Sequence, residues 1–194
     1  MRRSRHGCSV ADFHHETERL ILRDWREEDW PRFWEGTNTP SVMRHLGGVC
    51  DDTKREAARG RLESYRRDLG HTFWVVERKA DGEVLGFCGL KRSNHAGGPM
   101  GLMEIGWRLR EDAWGQGYAR EAASASLDLA FDRFGADEVV AFTGNANTAS
   151  WGLMRRLGMR RREDLDFANA EFTPEDPVII VYSIERQVWQ NRDA

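Results

Sequence analysis

The sequence predicts an α/β domain of about six or seven strands and about four helices, with hairpins first and one strand–loop–helix unit at its centre. Three observations carry this. Residues 102–109 alternate, with Met103, Ile105, Trp107 and Leu109 set against Glu104, Gly106 and Arg108, the period of a half-buried strand. Ala119, Ala122, Ala123, Leu127, Ala130, Phe131 and Phe134 recur at steps of three and four, one face of a long helix. Residues 178–184 are a β-branched run that reads as a buried strand.

Residues 1–16 read as a flexible basic tail, in which His14 and His15 are neighbours with no metal-ligand spacing around them. The domain is expected over 17–188, and 189–194 as a C-terminal tail. Residues 18–24 form the first strand. Residues 27–36 form a short helix in which Pro31 is tolerated because it lies in the first turns, with Trp30, Phe33 and Trp34 on the apolar face. Thr53 and Glu56 fit a capping box, Ala58, Leu62, Tyr65 and Leu69 follow at helical spacing, and Gly70 stops the run. Strands at 72–78 and 83–90 flank Asp81-Gly82, a pair suited to the positive angles of a tight hairpin turn. A loop spans 95–101. Gly135 closes the long helix, a strand follows at 138–143, then a helix at 147–157 with Gly158 as its stop.

At 194 residues the chain is long enough to bury a core without staples, and 40% apolar against 31% charged residues is a soluble globular balance. A formal net charge of −3 argues against a general nucleic-acid binder. Cys8, Cys50 and Cys88 are odd in number and widely spaced, so neither a disulfide framework nor a metal site is indicated, and a cytoplasmic setting is expected. The basic start lacks the apolar stretch of a signal peptide, and no run approaches the ~20 apolar residues of a membrane span.

The chemistry-bearing segment is Trp114-Gly115-Gln116-Gly117-Tyr118-Ala119, between the alternating strand and the long helix. Two glycines allow the backbone to approach a ligand, and a helix start adds about half a unit of positive charge. Together they suit a phosphate or pyrophosphate. A plain strand–helix turn is the bland reading. A dinucleotide-binding fold would need a third glycine where Arg120 stands.

The order of elements, together with ERLILRDW, VLGFCGL, EIGWRL, WGQGYAREA, the N-x-x-S…LGM stretch of 147–159 and VIIVYSI, resembles the GNAT superfamily of acetyltransferases, in the branch that includes the ribosomal-protein N-terminal acetyltransferases. The resemblance covers about 17–188. It implies a mixed central sheet, acetyl-CoA as acyl donor without a metal, and an amine acceptor, either a protein N-terminus or a small molecule. No nucleic-acid or membrane partner is implied, and a homodimer stays open. Trp114, Gly117 and Ala119 fill the defined positions of the pyrophosphate loop, Q/R-x-x-G-x-G/A, with Trp114 departing at the first.

The resemblance further implies that the backbone of Gly115, Gln116, Gly117, Tyr118 and Ala119 holds the phosphates. The pantetheine arm would lie beside Trp107, Arg108 and Leu109 like an extra strand. Glu104 matches a position that carries a catalytic carboxylate in some relatives, against the bland reading of a surface glutamate. Asn147 is either an N-cap or an amide bonded to the arm, or both. Ser150 would stand near the sulfur and donate to the departing thiolate. Met154 occupies the place of a proton-donating tyrosine, which keeps a non-catalytic acyl-CoA-binding module as the rival reading. Trp25, Trp30, Trp34 and Trp74 are candidates for lining a substrate cleft, with packing as the default. Arg120, Arg155 and Arg156 are candidates for phosphate contacts, with solvated helix positions as the default. The acidic stretch 164–177 (Asp164, Asp166, Glu171, Glu175, Asp176) is either a cover for the acceptor or a solvated loop.

Overall fold

The computed structural model describes residues 12–170 and 177–192. Among them one sheet runs in the order β1 (His14–Glu16), β2 (Leu20–Arg23), β3 (Phe73–Arg78), β4 (Glu83–Arg92), β5 (Met103–Leu109), β6 (Glu138–Gly144), β9 (Val178–Glu185) and β7 (Arg160–Arg161), with β8 (Phe167–Ala168) also on β9. Every pairing is antiparallel except β5 with β6. Nine strands exceed the six or seven expected because β1, β7 and β8 are two or three residues long, too short to show a period.

The four longer helices are α1 (Asp29–Thr37), α3 (Asp52–Leu69), α4 (Tyr118–Asp128) and α5 (Thr148–Arg156); α2 (Pro40–Met43) and α6 (Arg186–Gln190) are single turns. On one face of the sheet, Ala122, Ala123 and Leu127 of α4 close on Leu22, Leu85, Met103 and Ile105. The small residues let helix and sheet approach closely. On the other face, Trp30, Phe33 and Leu62 of α1 and α3 cover Val75 and Val84. Arg23 fixes α1 there, with both Nη atoms on Asp29 at 2.7 and 2.8 Å and Nε on Glu77 at 2.7 Å. After Asp128 the long helix widens into one π turn, Leu129–Arg133, and Gly135, at φ 67°, ends it.

Several boundaries differ from expectation. The tail does not extend to residue 16: Phe13 is buried, stacked on Trp74 at 4.2 Å, and β1 pairs with β2. Two isolated histidines and one phenylalanine give no alternation to read. Residues 1–11 lie outside the described residues. At the other end Trp189 is in the core, its Nε1 donating to Asp128 at 2.8 Å, so it is no part of a tail. The cap of α3 is Asp51, which accepts from Lys54 N at 2.8 Å, rather than Thr53; an aspartate two residues earlier does the same work with a full charge. The β3–β4 turn spans 79–82, and only Gly82 has positive φ, at 71°. Trp74 lies under α4, on the face opposite Trp25, Trp30 and Trp34, so the sheet divides the four tryptophans.

Candidate active site

The parallel pairing of β5 with β6 is brief. Met103 meets Val139 and Glu104 meets Val140; residues 105–109 then run on without β6, which stays paired to β9 as far as Gly144. The strands part at Glu104. The β6-facing edge of 105–109 therefore has backbone groups that the sheet does not satisfy, a ready edge for an extended ligand. Trp107, Arg108 and Leu109 lie along it. The Leu109 side chain is buried and Trp107 packs against the same core, so what they offer a ligand is backbone.

The loop after β5 continues that edge. Gly115 and Gly117 have φ of 72° and 84°, left-handed values that other residues adopt only with strain. Trp114 Nε1 donates to Leu109 O at 2.9 Å and Gln116 Nε2 to Asp112 O at 2.6 Å, so both side chains hold the loop's shape. α4 opens on Gly117 without a side-chain cap, and its first helical bond is Glu121 N to Gly117 O at 3.0 Å. The N–H groups of Tyr118, Ala119 and Arg120 precede that bond and have no intrahelical acceptor. An uncapped helix start beside two left-handed glycines fits an anionic pyrophosphate. Ala119 is half-buried against the core, while Arg120, Arg155 and Arg156 are exposed.

A clamp invisible in the sequence secures this loop. Arg19 donates to Gln116 O at 3.0 Å and to Glu121 Oε2 at 2.7 Å, and covers the buried Tyr118 ring at 4.6 Å. Thr17 Oγ1 also donates to Glu121, at 2.6 Å. Burial opposes the Glu121 charge, but the hydrogen bonds from Thr17 and Arg19 outweigh it and hold the carboxyl below its usual range.

Glu104 stands where the strands part, and it is buried rather than a surface glutamate. Lys91, its cross-strand partner, places Nζ 2.7 Å from Oε2, an ion pair whose angle falls outside hydrogen-bond geometry. Burial pushes the carboxyl up to about 7 despite the nearby ammonium. Lys91 also donates to Asn94 Oδ1 at 2.9 Å and lies 3.4 Å from His95 Nε2. Burial, then the charges of Lys91 and Arg61, press His95 down to about 4, so its ring is neutral at pH 7. The hairpin register is what brings them together: across the 93–102 connection, Lys91 falls opposite Glu104.

On the other arm of the opening, Asn147 caps α5. Its Oδ1 accepts from Ser150 N at 3.3 Å and its Nδ2 donates to Thr143 Oγ1 at 3.0 Å. One amide hydrogen remains for another acceptor. Ser150 is half-buried on the first turn of α5; Met154, one turn on, is buried in the core.

Arg108 shares its face of β5 with Glu104, and its side chain turns away from α4. Its guanidinium carbon lies 4.5 Å from the Phe33 ring centre and 5.2 Å from those of Trp34 and Phe87. Burial lowers the group to about 10, against a favourable contribution from nearby Cys50, and it stays protonated at neutral pH. Trp34 thus reaches this site. Trp25 and Trp30 stack on each other at 4.0 Å and line a hollow of about 210 Å³ between α1 and α3, none of whose lining residues belongs to β5 or α4. In the acidic stretch, Asp164 is paired with Arg162 and Asp166 with Arg161; Glu171, Glu175 and Asp176 lie outside the described residues. Cys88 is buried against Ser126 and its thiol is pushed up to about 12, which leaves it unreactive. Among the described residues no helix is long and apolar enough to cross a membrane.

Comparison with known proteins agrees with this architecture. The model of the acetyltransferase (GNAT) domain matches residues 19–160. YkkB of Bacillus subtilis (strain 168) is 32% identical over 74% of this chain and 83% of its own length. The N-acetyltransferase YnaD of the same organism is 28% identical over 76% of this chain and 83% of its own. The crystal structure of an acetyltransferase from Agrobacterium tumefaciens str. C58 superposes with a TM-score of 0.76 at 25% identity, covering 94% of this chain and all 100% of that one. The ribosomal-protein-S5-alanine acetyltransferase from Vibrio fischeri shares the fold, with a TM-score of 0.72 at 16% identity over 92% of this chain and 99% of that one. The chain belongs to the GNAT superfamily and is an acetyl-CoA-dependent N-acetyltransferase.

Proposed function

We propose that the protein moves the acetyl group to a primary amine by direct attack within a ternary complex, with Glu104 as general base. The carrying observation is the position of Glu104: a buried carboxyl, raised to about 7, at the apex where β5 and β6 part. The pyrophosphate of acetyl-CoA would bind the N–H groups of Gln116–Ala119 and its pantetheine arm the edge of 107–109, with the thioester toward the apex. The neutral amine attacks the thioester carbonyl, a backbone N–H of β5 stabilises the oxyanion, and Glu104 takes the amine proton directly or through water. The C–S bond breaks and the thiolate leaves, with a proton from Ser150 or water; Met154 has none to give.

A carboxyl near 7 suits an acceptor that resists deprotonation. An α-amine at ~7.7–8.0 is already about a tenth or more neutral at pH 7, whereas an alkylamine at ~10.4 is roughly a few hundredfold less available. The base matters most for the second class. The relatives do not decide the acceptor: likeness to the S5-alanine enzyme is of fold alone. Free Cys50 and buried Cys88 suit a reducing cytoplasm.

Two measurements test this. Thiol release from acetyl-CoA across a panel of amines and peptide N-termini is expected to show amine-dependent turnover. Tight acetyl-CoA binding with no turnover over the panel would favour a non-catalytic acyl-CoA-binding module. Gly117→Val, strained at φ 84° and crowding the phosphates, is expected to weaken acetyl-CoA binding by about 100-fold. Unchanged affinity would remove the loop from the donor site.

A further inference from the structure

Arg108 lacks what Glu104 has, a charged partner. Its one hydrogen bond runs from Nη1 to Met43 Sδ at 3.1 Å, and sulfur is a weak acceptor. No described carboxylate pairs with it. Nε is sealed from solvent and unpartnered. Nη2 makes no hydrogen bond either, yet is not sealed. An open guanidinium N–H is a charge-assisted donor suited to a carboxylate oxygen. The faces of Phe33, Trp34 and Phe87 hold the cation in place with Nε covered, which leaves Nη2 as the donor that a ligand can reach.

A purely structural residue here would gain from being apolar, because a well-packed methionine avoids the desolvation of an unpaired charge. The donor's phosphates do not account for it, since the pleat turns the Arg108 side chain to the face opposite α4, whose start forms the phosphate loop. It shares its face with Glu104, four residues earlier, a separation of about 13 Å between Cα atoms that two long side chains partly close.

We propose that Arg108 is the acceptor-recognition residue, and that the acceptor is a small amine carrying a carboxylate separated from the nitrogen by a chain, an ω-amino acid rather than an α-amino acid. This rests on the reading of Glu104 as the base that receives the amine proton. It also matches the alkylamine class for which that base matters most.

The test compares ε-aminocaproate, hexylamine and glycine as acceptors for the wild type, Arg108→Met and Arg108→Lys. The wild type is expected to favour ε-aminocaproate over hexylamine by about 10- to 100-fold in kcat/KM, the effect of one charge-assisted hydrogen bond, and to use glycine poorly. Arg108→Met is expected to erase the preference through the KM for ε-aminocaproate. Its Tm should match or exceed that of the wild type. Arg108→Lys, which keeps the charge on a shorter and more flexible side chain, is expected to recover part of the preference. Equal use of the two amines by the wild type would overturn the assignment. So would an Arg108→Met variant that loses stability and both activities alike, which would make Arg108 structural. Turnover of no amine at all would instead sink the transfer reading, and this proposal with it.

Discussion

On one face of β5, Met103, Ile105 and Leu109 are at most 4% exposed and close against α4 with no polar group among them. On the other face of the same strand, Glu104 is buried with a misaligned ion pair to Lys91, and Arg108, half-buried, has no carboxylate partner among the described residues. The first face shows how the fold holds the strand, and through it the edge and loop proposed to bind by backbone. The second carries charges that packing alone does not justify. That contrast is the basis on which a function is proposed for the second face.

Three substitutions sharpen the contrast, counting the one proposed for Arg108. The largest expected effect on stability falls on the packed face. Ile105→Ala removes a side chain 2% exposed and should cost about 2–5 kcal/mol, read as a lowered urea midpoint. The folded variant should keep its pH–rate profile. A cost near zero, or a shifted profile, would mean the two faces are not separable. Arg108→Met, on the opposite face, is expected to cost no stability.

A smaller effect is expected at Lys91, which lowers the Glu104 carboxyl against the upward push of burial. The charged and titratable groups around this pair are Lys91 and His95 from β4 and its loop, and Arg61 and Tyr65 from α3; Val140 on β6 brings none. Removing the ammonium in Lys91→Met should raise the Glu104 pKa further and move the acid limb of kcat/KM upward by about one pH unit, roughly 1.4 kcal/mol. A limb that stays in place would mean that Lys91 does not act on the base.

Much of this was legible in the sequence, and the illegible parts have physical causes. β5, α4 and β9 showed because long elements repeat their period many times. The glycines at 115 and 117 showed because only left-handed backbone needs them there. The three shortest strands, the Asp51 cap and the buried Phe13 were hidden because each rests on one or two residues. Glu121 looked like an ordinary residue of the first helical turn; its clamp joins it to Thr17 and Arg19, about a hundred positions away in the chain. Arg108 was visible as a residue beside the donor edge, but its cage comes from α1, α2 and β4, and only the packed fold brings them together. Charge on a strand can be read from sequence, whereas whether that charge is answered depends on register and tertiary contact.

The central claim is that Glu104, raised by burial, takes the amine proton. A carboxyl raised from 4.5 to about 7 is protonated, and unable to act as a base, below that pH. The direct test is kcat/KM from pH 5 to 9, expressed per neutral amine, for the wild type and Glu104→Gln. The wild type should rise to a plateau through an apparent pKa near 7, within about a unit, while Glu104→Gln should be flat, about 100-fold lower at the plateau, and still bind acetyl-CoA. The same rising limb in Glu104→Gln would contradict the account.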